Sequence, residues 1–68
     1  MTEIDTGTDD LLARREGNVG VITFNRPKRR NALSNAMYHG FRQVIPMFAT
    51  DPEIRVVLIT GEGGAFCA

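Results

Sequence analysis

Apolar positions along this 68-residue chain fall into three groups, each with its own spacing. The first group predicts two strands, Leu11 to Glu16 and Val19 to Asn25. Gly17-Asn18 between them is a two-residue hairpin signal, because glycine accepts the positive φ that primed turns require. In the second strand Val19, Val21 and Thr23 share one face, and Gly20, Ile22 and Phe24 share the other. Pro27 has no N–H to donate and stops the ladder. The second group has a helical period: Met37, Phe41, Val44, Ile45 and Phe48 lie at i, i+4, i+7, i+8 and i+11. It predicts a helix from Asn35 to Phe48 with Ser34 as its N-cap. Pro46 lies inside that span, and the loss of a backbone hydrogen bond there costs about 3 kcal/mol unless a kink absorbs it. A kink or an early end near Arg42 to Ile45 is therefore expected. Thr50-Asp51-Pro52 predicts a second cap and a brief turn.

The third group, Val56-Val57-Leu58-Ile59-Thr60, is continuous, the pattern of a strand buried on both faces of a parallel sheet. Strand, helix and strand in this order form a βαβ unit. One helix and one hairpin cover only one side of such a strand, and the sequence holds no repeat and no second helix to cover the other. The pattern thus predicts the α/β class, as the opening part of a larger fold: an N-terminal hairpin, a helix and a buried parallel strand, incomplete in this chain. Residues 1–10 are expected to form an acidic, mobile or edge leader, and residues 11–68 the folded part.

Composition narrows the chemistry. Cys67 is the single cysteine and His39 the single histidine, so neither an internal disulfide nor a zinc cluster is expected. No long apolar run or signal-peptide pattern is present, and a reducing, cytoplasmic setting is the expectation, with no membrane partner. The formal net charge is zero but unevenly placed. Glu3, Asp5, Asp9 and Asp10 stand in a leader without bases, whereas Arg26, Lys28, Arg29 and Arg30 crowd one turn without acids. Four cations this close repel one another, which points to an anionic partner, although charge alone fits a solvated loop as well. The chain as a whole is not basic enough for a general nucleic-acid binder, and Phe24 and Phe41 read as buried with Tyr38 single, whereas single-strand binders interleave bases with exposed aromatics.

Other motifs carry less. Gly61-Glu62-Gly63-Gly64 follows a strand, where α/β proteins place ligand loops, but it matches neither the dinucleotide fingerprint nor the P-loop. Cys67 has no base beside it in sequence, and a buried, inert thiol with an exposed His39 is expected. Asp51, Glu53 and Glu62 read as surface carboxylates at a cap and a turn rather than an acid/base pair.

Taken in order, these segments resemble the enoyl-CoA hydratase/isomerase, or crotonase, family. The likeness is carried by Val19-Gly20-Val21-Ile22-Thr23-Phe24-Asn25-Arg26-Pro27 and by Arg30-Asn31-Ala32-Leu33-Ser34. It continues through Asp51-Pro52-Glu53-Ile54-Arg55-Val56-Val57-Leu58-Ile59-Thr60-Gly61 and Gly64-Ala65-Phe66-Cys67-Ala68. It implies the start of a crotonase-like ββα spiral that assembles as trimers or hexamers when full length. The substrate it implies is an acyl-CoA thioester, most commonly a trans-2-enoyl-CoA that is hydrated or isomerised, with coenzyme A entering as part of the substrate and no separate cofactor. Lys28, Arg29 and Arg30 are then placed for CoA phosphates, Arg26 for a structural role, Ala32 for close approach of the pantetheine or thioester, and Ala68 for the adenine end. The family's oxyanion donors and acid/base carboxylates are implied to lie beyond Ala68, so no catalytic and no metal-binding residue is expected here. The alternative expectation is a catalytically inert chain that acts only by association with a complementing chain.

Overall fold

Residues 2–64 and 66–67 are described by a computed structural model of the chain, in which four strands form one sheet in the order β1-β2-β3-β4. Strand β2 (Leu11–Glu16) and strand β3 (Val19–Phe24) pair antiparallel across the predicted Gly17-Asn18 hairpin, with Leu11 opposite Phe24 and Glu16 opposite Val19. Gly17 takes φ 58°, as that turn demands. The leader supplies β1 (Thr2–Ile4), an edge strand antiparallel to β2. Its return to β2 is fastened by Thr6, whose hydroxyl donates to the carbonyls of Thr8 and Leu11.

Helix α1 (Asn35–Thr50) begins where Ser34 caps it: the Ser34 Oγ accepts from the Met37 N–H at 3.1 Å. The helix does not end early near Arg42 to Ile45, one of the two expected outcomes, but runs through Pro46 to Thr50. Pro46 and Arg42 both face solvent, so water can satisfy the Arg42 carbonyl that loses its helical donor. The apolar stripe is also narrower than its spacing suggests. Met37, Val44 and Phe48 are buried, Phe41 is half-buried, and Ile45 is exposed. Gly40 shares the buried face, since a Cβ there would stand 2.8 Å from Leu11 Cδ2. That close approach seats the helix against β2.

The core lies between α1 and one face of β2 and β3, and consists of Leu11, Ala13, Ile22, Phe24, Met37, Val44 and Phe48. Ile22 and Phe24 point into it with the predicted parity, and each fully buried aliphatic side chain contributes roughly 1.5–3 kcal/mol. Val21 and Thr23 on the opposite face are buried too, flanked in register by Arg14 and Leu58 and by Leu12 and Thr60.

After α1, Asp51 forms the predicted brief turn by accepting from the Glu53 N–H at 2.9 Å. Strand β4 (Val56–Gly61) then pairs parallel to β3, with Val19 opposite Val56 and Phe24 opposite Gly61. The βαβ unit is thus present, but the expected burial of β4 on both faces is not. Val56, Val57, Leu58 and Ile59 are all exposed, because β4 forms the far edge of the sheet and α1 covers β2 and β3 instead.

Candidate functional site

The C-terminal ends of β3 and β4 lead into two loops that meet. After β3, Asn25 is fixed by its N–H, which donates to the Asp10 carbonyl at 2.8 Å, and by its amide, which donates to Asp9. Pro27–Arg29 then form a single 3₁₀ turn, closed by Arg29 N–H to Arg26 carbonyl and Arg30 N–H to Pro27 carbonyl. Arg30 and Asn31 both take left-handed backbone angles, φ 52° and 61°. For a residue such as arginine this costs on the order of 1–2 kcal/mol, so neighbouring contacts must hold the turn in shape.

Asn31 provides them. Its side chain is fully buried; Oδ1 accepts from the Arg26 N–H at 2.8 Å, and Nδ2 donates to the Glu62 carbonyl at 2.8 Å. Its own N–H donates to the Arg26 carbonyl. Arg26 also turns inward: its guanidinium donates to the Ala32 carbonyl and lies 3.7 Å from Asp10 Oδ2. Asp10 in turn accepts from the Ser34 hydroxyl at 3.1 Å, which links the acidic leader, the basic turn and the start of α1.

The remaining cations of the turn differ from every other arginine the sheet carries. Arg14 pairs with Glu16, and Arg15 pairs with both Asp51 and Glu53. Lys28, Arg29 and Arg30 are exposed, and among the described residues none of them meets a carboxylate. Lys28 and Arg29 join Asp10, Asn25, Arg26 and Pro27 around a shallow cavity of about 390 Å³. Arg30 and Ala32 belong to the same turn but do not line that cavity; Ala32 is half-buried, with its carbonyl held by Arg26. Ala68 lies outside the described residues.

The chain after β4 corrects one expectation. Cys67 is exposed, not buried. Phe66 takes the apolar contact instead, stacking on Phe24 with ring centroids 5.1 Å apart, while Phe41 meets Phe24 edge-on at 5.6 Å. His39 is exposed on α1, as expected. Among the described residues no cluster of His, Cys, Asp or Glu could hold a metal ion, and no helix is long and apolar enough to cross a membrane.

Sequence spacing missed the two side chains that shape this turn, Asn31 and Asp10. Asn31 stood out only as a member of the segment Arg30 to Ser34 that carries the family resemblance. The one local sign was an asparagine after a short basic run, a residue type that tolerates left-handed angles.

The profile of the enoyl-CoA hydratase/isomerase family matches residues 14–68. The chain belongs to this family. Among curated relatives, a Mycobacterium tuberculosis protein named enoyl-CoA hydratase EchA19 is 43% identical over 68 residues, which is 100% of this chain and 25% of that protein. The mitochondrial 3-hydroxyisobutyryl-CoA hydrolase of Rattus norvegicus is 44% identical over 64 residues, covering 93% of this chain and 17% of its own. Among solved structures, a carnitinyl-CoA dehydratase from Mycobacterium avium superposes with a TM-score of 0.83 at 45% identity, over 90% of this chain and 24% of that one. The fold is accordingly α/β and of the crotonase type. The chain spans about a quarter of the length of EchA19 and less of the hydrolase.

Proposed function

We propose that this chain supplies the coenzyme A-binding turn of an acyl-CoA-processing enzyme, with Lys28, Arg29 and Arg30 holding the 3′-phosphate and pyrophosphate of the substrate. The observation that carries the reading is the set of three exposed cations that meet no carboxylate among the described residues, held on a turn that buried polar contacts keep in shape. Charge-assisted hydrogen bonds from guanidinium to phosphate are among the stronger polar contacts, and the planar fork of arginine suits two oxygens at once. The half-buried Ala32, with no side chain past Cβ, leaves room for the pantetheine arm beside the turn.

The reaction proposed is hydration of a trans-2-enoyl-CoA, or its isomerisation, through an oxyanion-stabilised thioester enolate. Relatives named as hydratases, hydrolases and dehydratases share the CoA thioester and differ in what is done to the acyl chain. That pattern favours a common handle and separate chemistry. In this proposal the described residues bind and orient substrate, and the acid/base groups come from elsewhere in the enzyme, which assembles as a trimer or paired trimers. Replacing Lys28 and Arg30 together by alanine in the full chain is the test. Acyl-CoA affinity at low salt should fall at least tenfold; unchanged affinity would show that the phosphates bind elsewhere.

A further inference from the structure

The buried amide of Asn31 bonds to both loops of the candidate site. Oδ1 accepts from the backbone N–H of Arg26 in the basic turn, and Nδ2 donates to the backbone carbonyl of Glu62 in the loop after β4, each at 2.8 Å. A further contact brings the loops together: Gly63 approaches so closely that a Cβ there would stand 3.1 Å from Pro27 Cβ. The Glu62 N–H continues the β3–β4 ladder by donating to the Phe24 carbonyl at 2.9 Å. The turn carries the cost of a left-handed angle at Arg30, so its shape depends on contacts such as those of that amide.

From this geometry we infer that Asn31 is a positioning residue that couples the phosphate-holding turn to the Glu62–Gly64 loop. Occupation of the turn by CoA fixes the Arg26–Asn31 segment, and the amide passes that order across to the backbone at Glu62. Asn31 itself touches no ligand in this arrangement. Its polar atoms face protein backbone, and it lies at the centre of the contact between the loops while Lys28, Arg29 and Arg30 face outward. The consequence is that binding the distant nucleotide end of the substrate and setting the loop beyond β4 are one event. The inference rests on the CoA reading proposed above.

Amide hydrogen exchange of the full chain, with and without CoA, tests it. In the unsubstituted protein CoA should slow exchange both at residues 28–32 and at residues 62–64. Asn31→Gly keeps the left-handed backbone and removes the side-chain bonds to Arg26 and Glu62; CoA should still slow the turn but no longer residues 62–64, and affinity should fall about tenfold. Asn31→Asp keeps an acceptor for the Arg26 N–H and removes the donor to Glu62, and it should lose the protection at 62–64 in the same way. If either variant keeps full ligand-induced protection at 62–64, the coupling does not run through Asn31 and the inference fails while the CoA reading stands. If CoA slows no amide in the turn of the unsubstituted protein, the CoA reading fails and takes the coupling with it.

Discussion

The two ends of β3 carry cations in opposite states. Near its start, across the hairpin, Arg15 is tied to Asp51 at 3.0 Å and to Glu53, which fastens β2 to the turn that precedes β4. Past its end, Lys28, Arg29 and Arg30 stand exposed and meet no carboxylate among the described residues, although Asp10 is close by and engages Arg26 and Ser34 instead. The same residue types therefore serve different purposes. At one end charge is neutralised within the fold; at the other it is left facing outward on a turn that buried groups hold rigid. A cation matters for a ligand when the structure fixes its place and withholds its counter-charge.

Three variants and one change of medium probe that contrast. Changing Lys28, Arg29 and Arg30 together to alanine should lower CoA affinity about 100-fold in calorimetric titration at low salt, with the melting temperature unchanged, because three charge-assisted contacts to phosphate are lost and none within the fold. Raising salt from about 0.05 to 0.5 M should weaken CoA binding by the unsubstituted protein about tenfold, since exposed cations are screened over shorter distances. The reverse effect is expected at the other end. Arg15→Ala should cost about 1 kcal/mol or less in urea denaturation, as befits a half-exposed pair, and leave CoA affinity as it was. Arg26→Ala should do a little of both: a few tenths of a kcal/mol of stability, from its partly exposed contact with Asp10, and a two- to threefold loss of affinity through the loosened Ala32 carbonyl.

How much of this could be read along the chain depended on how local each cause is. The hairpin, the Ser34 cap and the inward parity of Ile22 and Phe24 rest on neighbours a few residues apart, and the parallel partner of β3 follows from the order strand, helix, strand; the structure has each of them. Pro46 does not end the helix early because its cost depends on whether the Arg42 carbonyl faces water, which the helix's seat against the sheet decides. The exposure of Val56 to Ile59 has a similar origin: an apolar run tells what a strand can bury, while the layer that covers it is a property of the whole packing. β1 lacks any apolar alternation and exists because β2 offers an open edge. At the candidate site the cations were plain in the sequence. The amide that holds them was not, since Asn31 reaches Glu62 across 31 residues of chain.

The most direct measurement compares two ligands on one protein. CoA and 4′-phosphopantetheine share the pantetheine arm but differ in the phosphorylated nucleotide that the basic turn is proposed to hold. The full chain should bind CoA at least tenfold more tightly, and the Lys28, Arg29 and Arg30 triple alanine variant should bind the two alike. A triple variant that still prefers CoA by the original margin would contradict the assignment of that turn to the nucleotide phosphates.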